Sequence, residues 1–186
     1  MADNEFGYTR WGMDWVRLAE PLRQTRPEPL LPRARSIARN HGVQAVTEGR
    51  IVRAHIHRGG QASVTHLELA PLTRTTVTAL TALIGADPTL LTDEMHTAAR
   101  AAEIPVAPEL AAIDCSCSAR TLRCVHVLAT FYDLARRVDE DPRLSLDLQG
   151  FGAPEPGAAP GDSGPAPEAP RWIPLHTVDP AVFFEV

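Results

Sequence analysis

The strongest constraint on this chain is a set of four side chains spaced Cys115-x-Cys117-x6-Cys124-x-His126. Zn²⁺ takes four thiolate or imidazole donors in a tetrahedron, about 2.3 Å to sulfur and about 2.0 Å to nitrogen, and a Cys₃His set fills every position. The spacing therefore predicts one structural zinc ion with no coordination site left for a substrate. Cys115 and Cys117 are two apart, so an extended chain sends both side chains to one face. Cys124 and His126 stand where a strongly periodic helix begins, and the unpaired N–H groups of a first helical turn favour thiolate over thiol. The six residues between the pairs make a loop long enough to swing one pair over the other. Ser116, Ser118 and nearby amides are candidate donors to sulfur, and the second nitrogen of His126 is expected to meet a carbonyl or carboxylate. A redox pair or two buried apolar thiols would account for Cys-x-Cys alone. Neither accounts for all four residues.

These are the only cysteines in the chain, an odd number that cannot complete a disulfide framework, which fits a reducing compartment. The start, MADNEFGYTRWG, has no apolar core, and no segment approaches the roughly 20 apolar residues of a membrane span. A soluble cytoplasmic protein is expected, with association to the nucleoid if DNA is its partner. At 186 residues and 44% hydrophobic, the chain is long enough for one core with extensions. All 18 cations are Arg, and the net charge is −5. Residues 1–60 hold ten Arg against six acids while the remainder is acidic, so any basic face is local.

An aromatic cluster, Phe6, Tyr8, Trp11 and Trp15, opens the chain beside a short amphipathic stretch. Pro27, Pro29 and Pro32 are expected to stop any helix, with a short helix over 33–39 ended by the left-handed geometry of Gly42. Alternation of Val52, Ala54 and Ile56 with Arg53, His55 and His57, and of Leu67 and Leu69 with His66 and Glu68, predicts a three-stranded antiparallel meander over 43–69. The three His lack a carboxylate or thiol at matching spacing, so a polar sheet face explains them better than a second metal site. Helices are predicted over 73–84, 92–103 and 125–138. The last has Val127, Leu128, Phe131, Leu134, Ala135 and Val138 on one inward face, and a further turn closes the domain near Phe151. The fold class is α+β. Residues 1–151 form the module, with the finger at about 113–138. Residues 152–170 read as a disordered Gly/Pro/Ala linker, and 171–186 as an apolar docking tail that folds back or adds to a partner, with Trp172, Ile173, Val182, Phe183 and Phe184 as its anchors.

The Cys-x-Cys-xn-Cys-x-His spacing, with an aliphatic-aromatic helix after the His, resembles the SWIM zinc finger. YTRWGMDWVRLAE, RARSIARNHGV, the meander and DEDPRLSLDLQGF resemble bacterial stand-alone SWIM proteins over about residues 6–151. SARTLR lacks the Pro-Asp-Trp character common after the second Cys, and Val125 stands where a basic residue is frequent. The resemblance implies a non-catalytic accessory or adapter of a DNA-transacting complex, docking a Swi/Snf-type helicase-like ATPase. The alternative is weak, salt-dependent nucleic-acid binding through Arg33, Arg35, Arg39, Arg53, Arg120 and Arg123. An enzyme is not expected: the chain has no Lys for a phosphate-binding loop, and neither a nucleophile elbow nor a His-Glu protease motif.

Overall fold

A computed structural model of the protein describes residues 5–22, 28–58, 60–119 and 121–152, the side chains at 58 and 61 excepted. The predicted linker and tail therefore lie outside the described residues. In chain order the elements are α1 (Arg10–Ala19), α2 (Leu31–Arg39), β1 (Val43–Glu48), β2 (Ile51–Arg58), β3 (Gln61–Leu69), α3 (Arg74–Ile84), α4 (Asp93–Ala101), β4 (Leu110–Cys115), α5 (Val125–Glu140) and α6 (Arg143–Asp147). The strands form one antiparallel sheet in the order β1-β2-β3-β4, and the fold is α+β. None of the described helices is long and apolar enough to cross a membrane.

The meander forms as predicted, with Val43 opposite Ile56 and Val52 opposite Leu67. Its alternation sorts the faces. Val52, Ala54, Ile56, Leu67 and Leu69 are buried, whereas Arg53, His55 and His57 are exposed on the other side. The three His thus stand on a polar sheet face. The prediction missed β4, which pairs with β3 through Thr65 opposite Cys115 and Leu67 opposite Ile113, with a shift near Leu69 that breaks the period-2 pattern.

Helix α5 packs on the buried face of the sheet and carries α1 and α2 on its other sides. Its six predicted core residues are buried, but so are Ala129, Thr130, Tyr132, Asp133 and Asp139, so a single inward face was too narrow an expectation. A helix covered on several sides must satisfy its polar groups locally. Thr130 meets Thr65 of β3 at 3.0 Å, and Arg137 donates to the Ala45 carbonyl of β1 at 3.1 Å.

Two local expectations are corrected. Pro32 begins α2 rather than stopping it, because the first helical turn has no use for the missing N–H. At the end of α2 the left-handed residue is His41 (φ 53°), not Gly42. The His41 N–H donates to the Ala38 carbonyl and the Gly42 N–H to that of Ile37, which is the Schellman pattern.

The N-terminus is held by one carboxylate. Asp139, near the end of α5 and 5% exposed, accepts from the N–H groups of Gly7 (2.6 Å), Tyr8 (3.3 Å) and Thr9 (2.9 Å) and from Thr9 Oγ1 (2.8 Å). Thr9 in turn caps α1 by accepting from the Gly12 N–H. A Cβ at Gly12 would lie 2.1 Å from Asp139 Oδ1, so no other residue fits there without moving the carboxylate. Replacing Asp139 with Ala strands several donors, each costing about 1–3 kcal/mol when buried. Asp139→Ala is expected to lower unfolding stability by about 3 kcal/mol or more in urea denaturation, and Gly12→Ala to follow it. An unchanged midpoint for Asp139→Ala would show that the N-terminal segment contributes nothing to the cooperative unit.

Candidate metal centre

The four predicted ligands meet at the junction of β4 and α5. Pairing with Thr65 fixes Cys115 as the last residue of β4, on the side of the sheet that faces α5. The next residue keeps the ladder going, since the Ser116 N–H donates to the Val64 carbonyl and the Val64 N–H to Ser116 Oγ, both at 2.9 Å. Ser116 therefore anchors the loop to β3 through both its N–H and its Oγ. Cys117 stands one step beyond, at the start of the turn. Cys124 is the N-cap of α5 in extended backbone (φ −70°, ψ 165°), and His126 lies in the first turn.

One donor atom from each of Cys115, Cys117, Cys124 and His126 falls within 4.8 Å of every other, and no second group of this kind occurs among the described residues. Nδ1 of His126 is 3.8 Å from Cys115 Sγ. A tetrahedron with sulfur at about 2.3 Å and nitrogen at about 2.0 Å has ligand–ligand edges of about 3.5–3.8 Å, so closing the cluster on an ion requires shifts of an ångström or less. Cys124 is 3% exposed, and the other three are half-buried.

The thiols are electrostatically crowded. Burial pushes the Cys115 thiol up to about 12, with hydrogen bonds from its sulfur to Cys117 and Cys124 acting the same way against a lowering contact from the Cys117 N–H. Burial raises Cys117 as well, but the Ala119 N–H and the neighbouring thiols outweigh it and bring it below its ordinary value. Three sulfurs this close cannot all ionise against one another, and a divalent cation removes that conflict by holding each as thiolate. The amides of Cys117 and Ala119 are the donors to sulfur that the sequence led us to expect. Beside Cys115 a hollow of about 220 Å³ is lined by Ile113, Asp114, Ala119, Thr121 and Leu122.

The arginines expected to touch nucleic acid fare differently. Arg123 turns inward and donates to the carbonyls of Leu18 (2.9 Å) and Ala19 (2.6 Å), the open C-terminal end of α1. Arg35 donates to Glu20 and to Tyr132 Oη, and Arg39 pairs with Glu5 through two nitrogens. Arg123 is thus committed within the fold, whereas the ion pairs of Arg35 and Arg39 lie at the surface. Arg33 and Arg53 are exposed, and Arg120 lies outside the described residues, as do Trp172, Ile173, Val182, Phe183 and Phe184. Sequence reasoning missed the inward turn of Arg123. The available signal was its position one residue before the Cys124–His126 pair, where the chain must approach the core.

No family model matches this chain, and neither a curated protein nor a solved structure matches it.

The four donors predict one equivalent of bound divalent metal in the protein purified without chelator. Stripping it, or replacing Cys124 with Ala, is expected to lower the melting temperature by about 10 °C or more, because binding energy at such a site is folding energy. A melt that is the same with and without metal would contradict a structural role.

Proposed function

We propose that this protein is a non-catalytic zinc module of SWIM type, serving as an accessory or adapter of a DNA-transacting complex and docking a Swi/Snf-type helicase-like ATPase. The observation that supports it most is the gathering of Cys115, Cys117, Cys124 and His126 at the β4–α5 junction. A closed Cys₃His donor set suits Zn²⁺, and it leaves the ion no open position at which to activate water or polarise a substrate. On this reading the ion shapes a surface: it fixes Ser116 against β3 on one side and Arg123 against the end of α1 on the other.

The docking role rests on the SWIM resemblance and on charge. A chain of net −5 whose Arg123 turns inward and whose Arg35 and Arg39 are paired with surface carboxylates has little basic surface for a phosphate backbone. Direct nucleic-acid binding through Arg33, Arg53 and Arg120 is the alternative. A cytoplasmic location belongs to the same proposal.

Affinity purification of the intact protein from its source cells, after nuclease treatment and with identification of bound proteins, tests the proposal. A Swi/Snf-type ATPase that stays bound after nuclease is the expected result. Recovery of nucleic acid alone, or of an ATPase that is lost on nuclease treatment, would overturn the docking claim in favour of direct binding.

A further inference from the structure

The three histidines of the meander gain a neighbour from β4, the strand that the sequence concealed. His55 and His57 alternate with buried residues along β2, and both are exposed on the open face of the sheet. His66 of β3 shares that face, because it pairs with Arg53, two residues before His55. On its other side His66 stands opposite Asp114 of β4, a carboxylate that spacing along the chain could not place. Among the described residues none of these three rings is held by a hydrogen bond or an ion pair, whereas His96 meets Asp14 and His126 meets Cys115.

The sheet fixes their spacing. Strand β2 is paired on both edges, so His55 and His57 stand about 6.8 Å apart along it. Two imidazoles close that span by leaning toward each other, each needing about 2.0 Å from nitrogen to metal. His57 lies opposite Ala62, whose small side chain leaves the ring room to lean. His55 lies opposite Val64, so His66 is its diagonal neighbour, about 7–8 Å away and within reach of a ring. The three donor nitrogens are not gathered as those of the cysteine cluster are. Gathering them takes rotation about side-chain bonds on an open face and no movement of the backbone. Arg53 is the cation beside them, and Glu68 and Asp114, which flank His66, offset its charge.

We propose that His55, His57 and His66 form a second metal site, a three-imidazole face on the open side of the sheet that takes a nitrogen-preferring divalent transition ion: Ni²⁺, Cu²⁺ or Zn²⁺. Three protein donors leave such an ion an open position, in contrast to the four donors of the cysteine cluster. Water or a side chain of a bound partner fills it. Neutral donors exposed to water hold an ion less tightly than three thiolates do, so this ion exchanges and is lost on dialysis. The site requires neither an ion at the cysteine cluster nor an ATPase partner.

Calorimetric titration of the intact, untagged, zinc-loaded protein with Ni²⁺ tests the site, while a chromogenic chelator reports any zinc displaced from the cysteine cluster. One Ni²⁺ per chain is expected to bind with no zinc released. His55→Ala, His57→Ala and His66→Ala should each weaken it by about tenfold or more, since a ligand counts for at least as much as the outer partners whose loss costs about 10–100-fold. His41→Asn, which changes an exposed histidine outside the site at a left-handed position that Asn tolerates, should bind Ni²⁺ as the parent does. All four positions are on the surface, and melting curves should show every variant folded. Should one melt early, Gln replaces Ala there, with the same loss expected. The proposal is overturned by no Ni²⁺ uptake, by uptake matched by zinc release, by affinity unchanged in any of the three Ala variants, or by an equal loss in His41→Asn.

Discussion

Every layer of this fold depends on α5, a helix covered on most sides and fastened by polar groups at both ends. Its first turn brings Cys124 and His126 to the cluster with Cys115 and Cys117, and its last turn brings Asp139 to the amides ahead of α1. Helix ends are where backbone groups lack partners and where buried helices fray. Here one end is fastened by a metal-binding donor set and the other by a carboxylate, so the helix can anchor the sheet and two further helices together.

The four-donor cluster is consequently not an appendage but a joint. Ser116 ties the loop to β3, and Arg123 ties it to the last carbonyls of α1, whose next residue, Glu20, holds Arg35 and Tyr132. Loosening the loop would release the last carbonyls of α1 from Arg123. That connection couples the four-donor cluster to the end of α1. It also explains why residues with an appearance of nucleic-acid contacts are bound up within the protein: Arg serves as an internal donor to carbonyls and carboxylates, a role its planar fork suits.

Much of this was legible in the residues, and the exceptions have physical causes. The ligand spacing, the meander and the last helix follow from local pattern, because thiol spacing and periodic burial are written in consecutive residues. Strand β4 escaped notice because a shift in register near Leu69 breaks its alternation and because its partner residues lie 41 to 50 positions earlier, from Leu69↔Leu110 to Thr65↔Cys115. The role of Asp139 has no local signal in the sequence, since the amides that donate to it are at Gly7 to Thr9, far away along the chain. His41 took the left-handed position expected of Gly42 because the motif counts residues from the last helical turn, whereas Gly42 needs its missing Cβ for close approach to Ile37. The inward turn of Arg123 and the carboxylate partners of Arg35 and Arg39 were hidden because a sequence shows charge but not its partner.

Cys115, Cys117, Cys124 and His126 are the donors of the proposed closed zinc site, whose ion would hold structure and meet no substrate. X-ray absorption at the metal edge of the purified, zinc-loaded protein tests that most directly. Three sulfurs at about 2.3 Å and one nitrogen at about 2.0 Å, with no oxygen in the first shell, is the result the account predicts. A site with two sulfurs, or with a water oxygen completing the tetrahedron, would contradict it.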